Sequence, residues 1–137
     1  MSFVVDASIA LAWCFQDEQT EAVLALLNRV TESGAVAPQL WPLEVLNGLL
    51  AAERRGRLAP GLRERLTSLL RDLPVAIDDE TSTQVWDGTG RLAEAQKLSI
   101  YDASYLELSL RRRLPLATKD GGLAAAAQRA GAVLLGA

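Results

Sequence analysis

Four carboxylic acids stand at positions where an ionised side chain needs compensation. Each lies in apolar sequence or at the edge of an element that we expect to be buried, where a charged carboxylate is costly. If the four converge in the fold, their mutual repulsion calls for a cation. Carboxylate oxygens favour a hard ion, so the pattern predicts a site for Mg²⁺, with Mn²⁺ as the other candidate. The four acids are Asp6, Glu44, Asp102 and Asp120.

Each acid also has a simpler interpretation. An Asp after a strand or before a helix is commonly a helix cap, and Glu44 in a first helical turn complements the helix dipole. The cap interpretation has to hold independently at every position, whereas one metal site accounts for all four. Asn47 lies three residues after Glu44, on the same face of the predicted helix.

The composition limits the chemistry that such a site can perform. The chain has no histidine and a single cysteine, Cys14, which excludes His-dependent hydrolases, His-ligated zinc and an internal disulfide. Any hydrolysis must therefore run on carboxylates, hydroxyls, Lys, Arg or metal. The net charge of −3 argues against broad affinity for nucleic acid, but it permits a substrate held locally by metal and a few arginines.

The length and hydropathy predict one domain over residues 1–137. Half of the 137 residues are hydrophobic, which is enough for a substantial aliphatic core. No basic segment followed by an apolar run opens the chain, and no apolar stretch reaches the roughly 18 residues of a membrane span. We therefore expect a cytoplasmic protein without a membrane anchor.

Short apolar strands alternate with helices along the chain. This order predicts an α/β fold with a central, largely parallel, five-stranded sheet flanked by helices. Ligands of such sheets bind beyond the carboxyl ends of the strands, toward which Asp6 and Asp120 project. The predicted strands are 3–5, 35–37, 74–77, 114–118 and 132–135. The first predicted helix is capped by Ser8, the next two cover 20–32 and 42–55, and a fourth starts at Pro60. A fifth is capped by Asp79 or Thr81 and reaches about Lys97, with a possible break near Gly88 and Gly90. The last two are a helix capped by Ser99 and a helix over 121–130.

Four segments together resemble the signatures of PIN-domain ribonucleases, most closely the VapC toxins of bacterial and archaeal toxin–antitoxin pairs. The resemblance spans the whole chain, in the expected order. It implies a PIN-like fold and a metal-dependent endoribonuclease that acts on structured RNA such as tRNA or rRNA. The segments are Val4-Val5-Asp6-Ala7-Ser8, Glu44-Val45-Leu46-Asn47, 101–108 (YDASYLEL) and Leu116-Ala117-Thr118-Lys119-Asp120.

The resemblance also implies roles for individual residues and two kinds of partner. The four acids would hold one or two divalent ions, Ser8 and Thr118 would orient ligands or water, and Asn47 would accompany Glu44 at the catalytic site. The partners implied are a second copy of the chain, forming a homodimer, and a VapB-like antitoxin. A basic or hydrophobic segment of that antitoxin would cover the acidic site.

Three alternatives stay open at this level. A receiver-like signalling module also has an acidic Mg²⁺ pocket, but it leaves Glu44 and Asp102 without roles. A non-catalytic PIN-like scaffold would act only through binding partners. A housekeeping RNA-processing nuclease would share the chemistry of a toxin.

Several further charged or aromatic residues have two possible interpretations. The arginines at 54, 55 and 57 and at 111–113 end two helices, where they complement the dipole or contact phosphate. Lys119 is an exposed loop residue or a phosphate contact. We expect the acidic run 78–80 to supply turn and cap charges, the three tryptophans to pack in the core or an interface, and Cys14 to be a small buried hydrophobe.

Overall fold

The computed structural model of the protein describes residues 2–136 and confirms the predicted α/β architecture. Five short parallel strands form one sheet: β1 (Val4–Val5), β2 (Ala35–Ala37), β3 (Val75–Ile77), β4 (Leu116–Ala117) and β5 (Leu134–Leu135). Their order across the sheet is β3-β2-β1-β4-β5. The predicted β4 and β5 segments were longer than the strands that form.

Helices connect the strands and flank the sheet. They are α1 (Ala7–Cys14), α2 (Glu21–Ser33), α3 (Trp41–Arg54), α4 (Leu62–Asp72), α5 (Thr81–Gln84), α6 (Gly90–Gln96), α7 (Ile100–Arg112) and α8 (Gly121–Ala130). A π-helical turn at Val85–Thr89 joins α5 to α6, and a 3₁₀ turn at Gln16–Glu18 follows α1. No helix within residues 2–136 is long and apolar enough to cross a membrane.

The central strand β1 is the most enclosed part of the sheet. Val4 pairs with Val36 on one side and with Leu116 on the other, and both residues of β1 are fully buried. Helix α7 packs against β1 and β4, and α1 packs against α2 and α3. A strand buried on both faces needs a continuous apolar run, and Phe3-Val4-Val5 is such a run.

The order of the strands creates a crevice beyond β1 and β4. From β1 the chain continues to β2 on one side, while β4 lies on the other side, so a topological switch point falls between β1 and β4. The register pairs Val5 with Ala117, which brings the next residues, Asp6 and Thr118, side by side. The switch point therefore carries one of the predicted acids and one of the predicted hydroxyls.

Two helix starts differ from the prediction. Asp6, not Ser8, caps α1, because Asp6 still has the extended backbone of the strand and its carboxylate accepts the Ile9 N–H at 3.1 Å. Helix α4 begins at Leu62 instead of Pro60, since Gly61 has a left-handed backbone with φ of +84°. Ser99 caps α7 as predicted, and Thr20, predicted as the first residue of its helix, is the cap of α2.

The stretch from α5 to α6 differs from the prediction in two ways. Neither Asp79 nor Thr81 caps it, because Glu80 holds the N-cap position and makes no side-chain cap hydrogen bond. The helix also does not break at Gly88 and Gly90, because Gly88 lies within the π-helical turn and Gly90 begins α6, which continues to Gln96.

The three tryptophans divide between core and surface. Trp13 and Trp41 are buried, as expected, whereas Trp86 is 89% exposed and does not belong to the core. Cys14 is only partly buried, between the core and the surface.

Candidate metal centre

Asp6 is the most buried of the four predicted acids, with 5% of its surface exposed. Its Oδ1 accepts the Ser8 hydroxyl at 2.6 Å and the Ile9 amide at 3.1 Å, and its Oδ2 accepts the Thr118 hydroxyl. Burial raises the pKa of Asp6, the three hydrogen bonds lower it, and the charge of Asp102 raises it further; the net shift is upward. The carboxylate is thus held firmly, but it forms no ion pair with any residue within 2–136.

The loop after β4 connects this carboxylate to Asp120. The Thr118 hydroxyl donates to Asp6 and accepts the Asp120 amide at 3.0 Å, and the Ser8 hydroxyl accepts the Lys119 amide at 2.8 Å. Asp120 then caps α8 by accepting the Leu123 amide at 2.9 Å. Ser8 and Thr118 therefore join the ends of β1 and β4 through hydroxyl groups that both contact Asp6.

Asp120 itself is exposed, which corrects the expectation that all four acids lie in buried surroundings. It stands at the rim of the crevice because the loop has already left the sheet before α8 begins. Asp120 is a helix cap, as its simpler interpretation predicted. Its negative charge nevertheless affects the site, because it raises the pKa of Asp102.

Asp102 links the four acids electrostatically. It lies in the first turn of α7, partly buried, where burial and then the charge of Asp120 raise its pKa. The charge of Asp102 in turn raises the pKa values of both Asp6 and Glu44. Asp102 is therefore the one acid that interacts with each of the other three.

Glu44 is held by a residue that the sequence interpretation missed. The Tyr105 hydroxyl donates to Glu44 Oε1 at 2.5 Å, from α7 to α3. Burial raises the pKa of Glu44, the Tyr105 hydrogen bond opposes the rise, and the charge of Asp102 adds to it. The signal for Tyr105 was its position three residues after Asp102, on the same face of α7. Asn47 is exposed one turn after Glu44.

The four acids influence one another electrostatically, but no three of them bring their oxygens into one close group. Within residues 2–136, the only three acidic side chains whose oxygens all lie within 4.8 Å of one another are Asp78, Asp79 and Glu80. No three of the predicted acids approach so closely. The ion pairs formed among the described residues engage other carboxylates, namely those of Asp17, Glu18, Glu53, Asp78, Glu80, Asp87 and Glu107.

The Asp78–Glu80 cluster is compensated by protein charge, which corrects two expectations. The Arg111 guanidinium lies 2.7 Å from Asp78, 2.8 Å from Glu107 and 3.2 Å from Glu80. Asp78 is buried and is more than the expected turn charge: its carboxylate accepts the Thr81 hydroxyl and the Glu80 amide, as in a turn, and it also forms the ion pair with Arg111. Arg111 is likewise neither a solvated end of α7 nor available to a phosphate.

Comparison with known proteins gives the family. The sequence matches the PIN domain family over residues 3–129, so the chain belongs to that family. PIN domains are nucleases, and the fold and order of signature segments agree with the resemblance described above. Membership also removes the receiver-like alternative. No curated protein matches the sequence.

Solved structures share the fold at low sequence identity. PAE2754 from Pyrobaculum aerophilum is 23% identical, with a TM-score of 0.70 over 98% of this chain and 90% of that one. VapC20 from Mycobacterium tuberculosis, a toxin that cleaves the sarcin-ricin loop, is 17% identical, with a TM-score of 0.59 over 96% of each chain. VapBC2 from Rickettsia felis, bound to a DNA fragment from its promoter, is 11% identical, with a TM-score of 0.60 over 88% of each chain.

Proposed function

We propose that this protein is a Mg²⁺- or Mn²⁺-dependent endoribonuclease that acts as the toxin of a type II toxin–antitoxin pair. The observation that carries the proposal is the buried Asp6 carboxylate at the switch point of a PIN-domain sheet, held there by the Ser8 and Thr118 hydroxyls. The VapC20 structure, described as a toxin that cleaves an RNA loop, supports the same assignment.

The donor set fits a hard divalent ion. It consists of carboxylate oxygens with hydroxyl groups beside them, and it has no sulfur or imidazole. Mg²⁺ keeps several of its waters when it binds to a protein, so it does not need three carboxylate oxygens within 4.8 Å of one another. Burial, and after it the charge of a neighbouring acid, raises the pKa values of Asp6, Glu44 and Asp102, and a bound cation would offset both effects. We assign the four acids as the ligands.

A bound divalent ion would supply a water of lowered pKa and would neutralise charge on the phosphoryl oxygens. The chain's own residues then have separate tasks. Ser8 and Thr118 hold both oxygens of Asp6, and Tyr105 occupies one oxygen of Glu44, so that each acid keeps a fixed direction. Asp102 accepts no side-chain hydrogen bond from residues 2–136, which leaves it available to take a proton from water.

The test is cleavage of a panel of structured RNAs, including tRNAs, with Mg²⁺, Mn²⁺ or EDTA. We expect discrete, metal-dependent cuts that Asp6→Asn and Asp102→Asn abolish, while Asp79→Asn cleaves like the wild type because Asp79 lies outside the site. Full activity of Asp6→Asn, or cleavage in EDTA, would remove the proposal. Clean Mn²⁺ binding without cleavage of any RNA would favour the non-catalytic scaffold.

An antitoxin partner is supported by an apolar cavity of about 250 Å³ between α3, α4 and β3. The lining includes Trp41, whose indole Nε1 is buried and has no hydrogen-bond partner within residues 2–136. It also includes Ile77, half-exposed on the edge strand β3, where a partner segment can pair. We propose that an amphipathic antitoxin segment binds here.

A small reading frame immediately upstream of the gene would encode this antitoxin. We expect its product to co-purify with the wild-type protein and to inhibit cleavage. Ile77→Glu should lose the complex, whereas Val133→Glu, the same kind of change at an exposed position before β5 and outside this cavity, should keep it. A product that binds both variants equally contradicts this location.

A homodimer is supported by large apolar side chains at the surface. Leu43 is 74% exposed on α3, and Trp86 is exposed on the π-helical turn after α5. We propose that both side chains lie in the contact between two copies, where burial would remove their apolar surface from water. We expect light scattering to give the mass of a dimer for the wild type and of a monomer for the Leu43→Lys/Trp86→Lys variant. A monomeric wild type contradicts the dimer.

A further inference from the structure

A second cavity lies directly beside the acidic crevice and is lined by positive charge. Its volume is about 310 Å³, and its walls include Ser8 and Lys119 on one side and Arg55 and Arg57 on the other. We refer to the space bounded by these four residues as the basic cavity. Arg55 ends α3 and Lys119 lies in the loop between β4 and α8, so separate parts of the chain supply its charge.

Ser8 forms a common wall between the basic cavity and the acidic site. Its hydroxyl donates to Asp6 at 2.6 Å and accepts the Lys119 amide at 2.8 Å. Lys119 also stands in sequence between Thr118, which contacts Asp6, and Asp120. A polymer whose phosphate lies at the acids would therefore continue into the basic cavity.

The cations of the basic cavity outnumber the carboxylates that face them. Arg57 lies over the ring of Phe15, 4.2 Å from its centroid, and is 3.3 Å from both Asp17 and Glu18. Lys119 Nζ is 3.6 Å from the same Glu18. Arg55 forms no ion pair with any residue in the described part of the chain, 2–136.

These ion pairs are easily exchanged for a ligand. Asp17 and Arg57 are exposed, and exposed pairs contribute little to stability because water and salt screen them. A phosphodiester presents the same kind of anionic oxygen to an arginine as a carboxylate does. The Phe15 ring holds Arg57 in place even when its carboxylate partners leave.

We propose that the basic cavity binds a backbone phosphate of RNA next to the phosphate held at the acids. Arg55 and Lys119 bind the phosphate oxygens, and Arg57 exchanges its pairs with Asp17 and Glu18 for the same phosphate. The proposal rests on the proposed nuclease function, because it places the neighbouring nucleotide of that substrate. It also explains how an acidic chain retains an RNA strand beside a pocket of carboxylates.

The experiment measures RNA binding separately from cleavage. Fluorescence anisotropy follows a short oligouridine, and separately a tRNA, on the Asp6→Asn background in EDTA, so that neither metal nor cutting contributes. We expect Arg55→Gln and Lys119→Gln each to weaken RNA binding by about threefold or more at low salt. For the oligouridine, the plot of the logarithm of the association constant against the logarithm of the salt concentration should become less steep by about 0.7. Arg54→Gln, the same change one residue away on the exposed end of α3 and outside the cavity, should bind like the parent.

Each outcome decides between distinct conclusions. Equal binding of parent, Arg55→Gln and Lys119→Gln, with the same salt slope, overturns the basic cavity as a phosphate site. An equal loss in Arg54→Gln also overturns it, because the effect would then be general charge. If the cavity variants weaken binding but the wild type cuts no RNA with Mg²⁺ or Mn²⁺, the nuclease function fails and the phosphate site stands. Thermal unfolding of all variants at the parent temperature excludes misfolding as the cause.

Discussion

The Tyr105 hydroxyl lies 2.5 Å from Glu44 Oε1, so that a hydrogen bond between residues 61 positions apart in sequence joins α7 to α3. Both residues sit beside Asp102, and the Tyr105 ring is almost completely buried. Burial, together with the Glu44 carboxylate, raises the pKa of Tyr105, so the phenol keeps its proton and remains a donor. One oxygen of Glu44 is thereby occupied, and the other is left for a ligand.

Tyr105→Phe should therefore weaken metal binding more than it disturbs the fold. The phenyl ring preserves the packing, while Glu44 loses a charge-assisted hydrogen bond worth about 1–2 kcal/mol. We expect a lower affinity for Mn²⁺ by calorimetry and a modest loss of stability in urea. Tyr101→Phe, at an exposed position on the same helix, is the matched control. Unchanged Mn²⁺ affinity in Tyr105→Phe contradicts a positioning role for the hydroxyl.

Asp102→Asn should stabilise the protein at neutral pH while it removes activity. The raised pKa of Asp102 means that its ionised form is disfavoured in the fold, a penalty present above the raised pKa and absent below the ordinary value of about 4. We expect Tm to rise by about 3 °C at pH 7 and the difference to vanish at acid pH. Added Mg²⁺ should stabilise the wild type more than the variant.

Differential scanning calorimetry across pH checks this prediction. Glu94→Gln, an exposed position on α6, is the control for the loss of one negative charge. A lower Tm for Asp102→Asn than for the wild type at pH 7 would mean that the ionised Asp102 side chain does not destabilise the folded protein.

Thr118→Val should impair cleavage without unfolding the protein. Valine has the shape of threonine, but it removes both the hydrogen bond to Asp6 and the acceptor of the Asp120 amide. Loss of such supporting contacts typically lowers metal-dependent activity by about 10–100-fold. RNA cleavage and circular dichroism measure the two effects. Thr31→Val, on the exposed face of α2, should match the wild type in both.

Arg111→Met should destabilise the protein strongly. It leaves the buried carboxylates of Asp78 and Glu107 without a cation, which typically costs about 3–5 kcal/mol. Urea unfolding measures the loss. Arg112→Met, the exposed neighbour, should change stability by less than about 0.5 kcal/mol. A small effect of Arg111→Met would show that water compensates the two acids.

The ion pairs of Arg111 should also affect how the free energy of unfolding depends on pH below neutrality. Burial raises the pKa of Asp78, but the hydrogen bonds and charge of Arg111, with Thr81, outweigh it and lower the pKa overall. Stability from this pair is present above the ordinary Asp pKa and is lost as the pH falls through the lowered value. Stability of Arg111→Met should therefore fall less steeply on acidification than that of the wild type.

The sequence alone determined the elements and the residue types of the site. Local patterns do this because a buried parallel strand needs an apolar run and a helix start needs a side-chain acceptor, which Thr20, Ser99 and Asp120 supply for α2, α7 and α8. The absence of histidine confined the chemistry to oxygen ligands. The order of the four acidic segments then carried the family resemblance that the PIN-domain match confirms.

Only the tertiary structure decided which side chains meet. Tyr105 and Glu44, or Asp78 and Arg111, are far apart in sequence, and their contacts depend on helix packing that no local pattern records. The structure likewise chose Asp6 over Ser8 as the cap of α1, because the register of β1 with β4 directs the Asp6 carboxylate to Thr118. Strand order and register depend on pairing between segments that are distant in sequence, and this pairing brings acids from separate segments together at one site.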